Sequence, residues 1–412
     1  MAIVPAKCTN CGATIRVSNL HTDQMIECAY CKSTFVIEQA INNYNISIVN
    51  NVNNNIQAGV VNVYGGNSTG FQIRAGVLEK YEGSSADVTI PSNVSIIGSD
   101  AFNGCRGLRS VVIPNSVTTI EPNSFNDCRN LKSLTIPDNV TSIGKAAFSG
   151  CGLQTIKLSN TLRTIEDETF IGCSALQSIN LPAALTKIGQ SVFKACDSLK
   201  SLKIPKSVKS MSCALCDSKI EEVVFESGIK VIPEKALYMC RTLKKVDIPD
   251  TVTKIGENAF DLCESLQEVV LPEGIDKLPK GVFRCCKSIK YMNIPKSVTY
   301  IGSEAFMDCS GLVSVEIPPD VTEIGNSAFS GCTSLQSLKV YDRLTNIGVS
   351  AFFKCTNLKL LNVPQKVIGI NDFQSLVNER VYKGTCRYCG SSFKGLIKKT
   401  CSNPVCQRRK DY

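Results

Sequence analysis

Residues 131–151 read LKSLTIPDNVTSIGKAAFSGC, and this arrangement of apolar residues returns many times along the chain. Residues 266–286 read LQEVVLPEGIDKLPKGVFRCC, and residues 312–332 read LVSVEIPPDVTEIGNSAFSGC. The shared pattern is L-x-x-[LIV]-x-[IL]-P-x-x-V-x-x-I-G-x-x-A-F-x-x-C. Self-similarity at a fixed short period is the signature of a repeat protein.

The last residue of the pattern shows how many turns there are. Its cysteine recurs at positions 105, 128, 151, 173, 196, 240, 263, 286, 309, 332 and 355. One member is missing, and we align it to Ser218, with Leu215 in place of the usual Phe. Every step is then 22 or 23 residues, so the sequence predicts twelve full turns after a partial one that ends at Pro91.

Each turn begins with alternating apolar and polar residues, which predicts a short strand, followed by a return segment that Pro and Gly interrupt. A single turn of this length buries too little apolar surface to fold alone, so the turns must stack and share a core. The repeated Phe and Cys side chains are predicted to form stacked columns in that core, since a free Cys behaves as a small hydrophobe. Cys213, Cys216 and Cys285 lie off the column. Cys213 and Cys216 have the spacing of half a metal site, but no second pair is identifiable, which favours packing.

The pattern resembles the BspA-like, or Treponema pallidum type, leucine-rich repeats across roughly residues 72–367. The resemblance implies a solenoid of α/β-type repeats with a parallel β-sheet on its concave face, and a role in binding other proteins. FQIRAGVLEKYEG at residues 71–83 is similar to the amino-terminal cap of such arrays. Many relatives are exported surface adhesins, so export by an unrecognised route is one alternative.

Four cysteines near the amino terminus have the spacing of a zinc site: Cys8, Cys11, Cys28 and Cys31. C-x2-C, a spacer of 15–20 residues and a second C-x2-C is typical of a four-thiolate Zn²⁺ site. The strand-like segments ATIRV and STFVI follow the two pairs. We therefore predict a small zinc ribbon, held by the metal because so short a segment has little core of its own.

A second set near the carboxyl terminus comprises Cys386, Cys389, Cys401 and Cys406. Its second pair is C-x4-C, which is an allowed but less diagnostic spacing. We predict a second Zn²⁺ site here. Because four thiolates fill a tetrahedral ion, both predicted sites are structural and leave no open position for catalysis.

These features predict five regions: a ribbon at 1–40, an Asn-rich linker at 41–70, a cap at 71–90, the solenoid at 91–370 and a basic ribbon at 380–412. The linker contains ten Asn and no charged residue. Its segments NISIV and GVVNVY have strand propensity, so a β-hairpin is an alternative there.

The net charge of +9 belongs mostly to the last residues of the chain. From Asn378 onward, nine Lys or Arg oppose Glu379 and Asp411, which gives +7. A nucleic-acid-associated adaptor that uses this basic ribbon is an alternative function, and a solvated surface is the other interpretation. The candidate contacts are Lys394, Lys398, Lys399, Arg408, Arg409 and Lys410, with Tyr388 and Phe393.

The outward residues of the strands suggest where a protein partner binds. A run of Ser and Thr at one outward position gives way to charged and aromatic residues between Glu221 and Tyr291. We predict a partner surface with Lys245, Glu268 and Tyr291, although a solvated polar face is the simpler interpretation. The sequence shows no catalytic group with a partner and a single histidine, His21, so it predicts a non-enzymatic scaffold.

Two features that the sequence lacks, a membrane span and a secretory signal, bear on where the protein is located in the cell. No run of about 18 apolar residues is present, so no membrane span is expected. MAIVPAKC lacks the features of a secretory signal, which indicates a cytoplasmic protein with reduced thiols and disfavours a disulfide ladder.

Overall fold

The computed structural model of the chain describes residues 70–358, together with the backbone of several strands: 4–7, 14–17, 25–27, 34–36, 360–362, 393–394 and 400–401. The chain divides into two compact units, Met1–Ser84 and Ser85–Tyr412. The described residues contain no α-helix. None of them therefore forms a helix long and apolar enough to cross a membrane.

The described residues of the first unit form three antiparallel hairpins. Val4–Lys7 pairs with Thr14–Val17, and Met25–Glu27 pairs with Thr34–Val36. The two strands predicted from ATIRV and STFVI are thus confirmed. The third hairpin joins Phe71–Arg74 to Val77–Tyr81 within the predicted cap, and the Phe71 and Tyr81 rings pack with centroids 5.1 Å apart.

The second unit contains the stacked turns, and each turn begins with what we call a primary strand. Nine of the twelve neighbouring pairs of primary strands pair in parallel and in register, so that Ser133, Thr155 and Ser178 lie side by side. The middle residue of most of these strands is buried and its neighbours are exposed, as the sequence alternation predicts. The primary strands are Asp87–Thr89, Ser110–Val112, Ser133–Thr135, Thr155–Lys157, Ser178–Ile179, Ser201–Ile204, Glu222–Phe225, Lys245–Asp247, Glu268–Val269, Tyr291–Asn293, Ser314–Glu316, Ser337–Lys339 and Leu360–Asn362.

A second row of strands, which we call secondary strands, occupies the return segments. Each has two residues, the second of which is the buried Ile or Leu near the end of the V-x-x-I motif. In the turn without one, Ser210 forms an isolated bridge to Lys187. The secondary strands are Ile96–Ile97, Thr119–Ile120, Ser142–Ile143, Thr164–Ile165, Lys187–Ile188, Val231–Ile232, Lys254–Ile255, Lys277–Leu278, Tyr300–Ile301, Glu323–Ile324 and Asn346–Ile347.

The predicted α/β-type repeat is therefore wrong in one respect, since strand and turn stand where a helix was expected. The reason lies in the loops that close the turns. We call them Phe–Cys loops; each runs from two residues before the Phe-column position to the Cys-column position. In all twelve loops, the residue two before the Phe-column position and the residue just before the Cys-column position have positive φ, for example Asn123 (55°) and Asp127 (60°). Two left-handed residues four apart interrupt a right-handed helix.

The left-handed residues direct backbone amides along the stack. The N–H groups of Asn123, Phe125 and Asp127 donate to carbonyl oxygens of the next loop at 3.0, 2.8 and 2.8 Å. The same ladder recurs along most of the solenoid. The loops thereby satisfy their buried backbone groups by bonding to each other, as strands do.

The core consists of the predicted columns. Phe rings stack in two runs, 102–193 and 260–352, with centroids between 4.9 and 5.9 Å apart. The runs are separated by two buried leucines, the predicted Leu215 and also Leu237, which the sequence reading did not identify. The predicted alignment of Leu215 with the Phe column and Ser218 with the Cys column is confirmed, because Cys213 and Asp217 adopt positive φ at the same two places as in the other loops.

The Cys column is buried as predicted, except that Cys105 in the first loop is half-buried. Ten of the thiols donate to the carbonyl of the Phe-column residue in the preceding loop, as Cys151 does to Phe125 at 2.9 Å. Burial raises the pKa of the Cys173 thiol to about 12. Ser218, at the same position, has a buried hydroxyl with no hydrogen-bond partner. Its C–O bond is shorter than the C–S bond of Cys, so the hydroxyl falls short of the acceptor.

A buried ion cluster joins three consecutive loops. Asp261 is fully buried and accepts from Arg284 at 2.6 Å and at two longer distances. Arg284 also contacts Glu304 at 3.1 Å, and its side chain is 34% exposed. The hydrogen bond to Asp261 raises the pKa of Arg284, so the guanidinium stays charged. The Asp261 carboxylate thus depends on Arg284 for its counter-charge.

Candidate functional site

The exposed side chains of the primary strands lie on one side of the stacked turns, which we call the primary-strand face. One column of this face consists of hydroxyl residues in the early turns, changes to Glu222, Lys245, Glu268 and Tyr291, and returns to Ser314 and Ser337. Parallel pairing in register places Glu222, Lys245 and Glu268 side by side in one sheet, and Tyr291, Ser314 and Ser337 side by side in the next one. The break in the hydroxyl column seen in the sequence is therefore a localised patch on the surface.

The structure places all three predicted partner-binding residues on this face. Lys245 lies between Glu222 and Glu268 on adjacent strands, and its Nζ is 3.4 Å from a Glu222 carboxylate oxygen. Tyr291 begins the next primary strand and is 69% exposed. Lys245 and Glu268 are direct neighbours, while Tyr291 belongs to the following turn.

Val270 adds an apolar group that the sequence reading missed. It directly follows the primary strand Glu268–Val269 and is 80% exposed, the highest value among the large hydrophobic residues described. The corresponding residues of the adjacent turns are polar, Asp247 and Asn293. The signal was present in the sequence as a second consecutive Val where neighbouring turns have a polar residue.

The charged residues beside this patch are paired with each other. Glu221 accepts from Lys244 at 2.7 Å and lies 3.7 Å from Lys200, and Lys203 lies 3.3 Å from Glu226. The hydrogen bond from Lys244 lowers the pKa of the Glu221 carboxyl. Because opposite charges alternate across the strands, they offset each other within the face.

The predicted zinc ligands are Cys8, Cys11, Cys28, Cys31, Cys386, Cys389, Cys401 and Cys406. Their side chains lie outside the described residues, although the backbone of Cys401 is in the strand Thr400–Cys401, which pairs with Phe393–Lys394. The first two C-x2-C pairs each fall, in sequence, between the two strands of a hairpin. Within the described residues, no group of three His, Cys, Asp or Glu side chains is arranged to hold a metal.

Comparison with known proteins gives one family. The model of the BspA type leucine rich repeat region matches residues 80–138, 95–215, 212–332 and 277–378. A search of curated proteins found no match to the chain.

Solved structures with similarity to this chain include three leucine-rich repeat proteins. A leucine-rich repeat protein from Bacteroides ovatus is 31% identical, with a TM-score of 0.56 over 68% of this chain and 79% of that one. A leucine rich cell surface protein from Faecalibacterium prausnitzii is 27% identical, with a TM-score of 0.34 over 66% of this chain and 92% of its own. The T. pallidum leucine-rich repeat protein is also 27% identical, with a TM-score of 0.36 over 49% and 91%.

Proposed function

The chain belongs to the BspA-type leucine-rich repeat family, and from this premise we propose that it is a non-enzymatic scaffold that binds a protein partner on its primary-strand face. The observation that carries the proposal is the patch around Val270 and Tyr291. Two large hydrophobic side chains, 80% and 69% exposed, lie there on adjacent turns, whereas the other exposed residues of the face are mostly polar and exposed Val112 stands alone several turns away.

The chemistry of the patch favours a protein partner. Exposed Tyr is enriched at protein interfaces, where its ring supplies apolar area and its hydroxyl a hydrogen bond. The nearby charges of Glu221 and Lys244 already compensate each other, so a partner can cover them without isolating either one. Lys245 and Glu268 form the polar rim, while Val270 and Tyr291 supply the apolar centre.

Site-specific crosslinking tests this surface. A photoreactive residue in place of Tyr291 is expected to capture a partner from native lysate. The matched control is the same residue at Phe353, which is 52% exposed but lies in a Phe–Cys loop away from this face. Once the partner is identified, we expect Tyr291→Ala to weaken binding by about 2 kcal/mol, roughly thirty-fold in Kd. Equal crosslinking from both positions, or an unchanged Kd, would contradict the proposal.

We also propose that the eight terminal cysteines bind two structural Zn²⁺ ions. The donor sets support this, because each comprises four thiolates at ligand spacing, and the first two pairs are each flanked by hairpin strands. The ions would stabilise small segments at either end. The ribbons are then additional docking modules, independent of the primary-strand face.

Elemental analysis of the purified chain tests the zinc sites. We expect two zinc ions per chain, one ion in Cys28→Ser, and two in the control Cys285→Ser, because Cys285 lies in a solenoid loop. Structural sites of this kind unfold when the metal is removed, so a strong chelator should abolish the ordered structure of residues 1–40 but not of the solenoid. A wild-type chain without zinc would refute both sites.

The two alternative functions stay predictions. The nucleic-acid-associated adaptor depends on the basic side chains of residues 378–412, which lie outside those described. Salt-dependent retention of DNA or RNA by the full chain would favour it. The exported, adhesin-like alternative and the cytoplasmic location are distinguished by cell fractionation.

A further inference from the structure

The loop 213–218 is the irregular member of the twelve Phe–Cys loops. It replaces the column Phe by Leu215 and the column Cys by Ser218, whose hydroxyl is buried without a partner. It also carries two cysteines at positions where the consensus has none. Cys213 has the first left-handed position, and Cys216 follows the column residue.

These two cysteines are close in space. The Cys216 N–H donates to the Cys213 carbonyl at 3.3 Å, which closes a four-residue turn. The Cα atoms at the two ends of such a turn are under about 7 Å apart. This overlaps the separation of about 4.4–6.8 Å found in disulfides. The turn therefore brings the two thiols within reach of a covalent bond without a large backbone movement.

The two thiols differ in their access to solvent. Cys213 is half-buried, whereas Cys216 is buried and donates to the Tyr238 carbonyl of the next loop at 3.2 Å. Burial, followed by a hydrogen bond between the Cys216 thiol and the Cys213 side chain that favours the protonated form, raises the pKa of the Cys216 thiol. A reagent from solvent thus meets Cys213 first, and Cys216 is the neighbouring thiol that completes the reaction.

The hydrogen bonds from this loop to its successor are also longer than those that the following loop makes to its own successor. The amides of Cys213 and Asp217 donate to the next loop at 3.2 and 3.4 Å. In the following loop, the equivalent amides of Lys235 and Met239 donate at 3.0 and 2.9 Å. Combined with the unsatisfied Ser218 hydroxyl, these longer bonds leave this loop the freedom to adjust when its side chains react.

We propose that Cys213 and Cys216 are a modification site, a dithiol that forms a reversible disulfide by exchange with a small disulfide such as oxidised glutathione. The Cys213 thiolate attacks one glutathione sulfur, forms a mixed disulfide and expels one glutathione thiolate. Cys216 then loses its proton to solvent, attacks the Cys213 sulfur and expels the second. Two protein thiols and one oxidised glutathione give one protein disulfide and two reduced glutathiones. The buried, protonated state of Cys216 makes the second step the slow one.

The sequence provides a direct readout for the full-length protein. Cleavage after Lys209 and Lys219 releases residues 210–219, which contain these two cysteines and no other. The protein is incubated with oxidised glutathione under native conditions, denatured, alkylated and digested. We expect the 210–219 peptide to lose two hydrogens and to escape alkylation, and to be alkylated twice when a reductant is added first.

Matched controls separate this reaction from general oxidation. Cys285 and Cys286 also combine a half-buried and a buried thiol, but they are adjacent in sequence and should stay reduced. Cys216→Ser should stop at the mixed disulfide on Cys213, and Cys213→Ser should leave Cys216 unmodified. A wild-type peptide that stays reduced, or that keeps glutathione on Cys213 without closing the disulfide, would overturn the proposal.

Discussion

Replacing Arg284 by Met is expected to lower the free energy of unfolding by about 3–5 kcal/mol, because it would leave the buried Asp261 carboxylate without its counter-charge. Asp261 has no exposed surface, and the guanidinium provides its close ion pair at 2.6 Å. Methionine keeps most of the length of the side chain and removes only the charge and the hydrogen bonds. The measurement is equilibrium denaturation followed by circular dichroism. Because repeat arrays can unfold in parts, hydrogen exchange of residues 258–309 should report the loss locally.

Two variants show whether the buried charge is responsible. Arg106→Met removes an exposed ion pair with Asp127, which should cost at most about 1 kcal/mol. The double variant Asp261→Leu with Arg284→Met removes both partners and should regain much of the stability lost in the single variant. If Arg284→Met and Arg106→Met destabilise equally, the cluster is not the structural link inferred here.

Phe306→Ala should have a comparable effect, about 3–5 kcal/mol, because it opens a cavity in the middle of a continuous ring stack. The Phe306 ring lies between those of Phe283 and Phe329, with centroids 5.6 and 5.1 Å away. The Phe283 and Phe329 rings cannot move into the cavity, because amide hydrogen bonds between the loops hold their backbone in place. Thermal and denaturant unfolding of the variant measure this cost.

The chain provides its own control for this position. Leu215 and Leu237 occupy the same column, fully buried, so Phe306→Leu is compatible with the loop and should cost less than about 1.5 kcal/mol. A loss for Phe306→Leu as large as that for Phe306→Ala would mean that ring stacking, and not filled volume, stabilises the column.

The repeat period was sufficient to predict the primary strands and the Phe and Cys columns, because each depends on an apolar residue returning at a constant interval. Even the irregular turn at Leu215 and Ser218 could be aligned by counting. The partner-surface residues Lys245, Glu268 and Tyr291 were placed on one face by strand alternation alone. Their role in binding is a proposal.

Other features had no sequence signal of comparable strength. The left-handed positions are held by residues as different as Ala146, Glu168 and Leu262, because the hydrogen-bond ladder between loops imposes the conformation whatever the side chain. The secondary strands have only two residues each, too few for alternation to be seen. Asp261 was missed because the residue after the column Phe varies from turn to turn between polar and apolar types and is buried in only three of the twelve turns, and only an Arg one turn later makes burial of this carboxylate possible.

The thiol and amide ladders have a consequence for how such a chain changes length over evolution. Every turn offers its successor the same acceptors that it takes from its predecessor, as the bonds of Cys128 to Phe102 and Cys151 to Phe125 show. Duplicating or deleting a whole repeat therefore restores these repeated hydrogen bonds at the seam, whereas a change of half a repeat would leave donors facing no acceptor. Tandem duplication of the coding segment is thus close to neutral for the interior, and selection is free to act on the outward residues of each new copy.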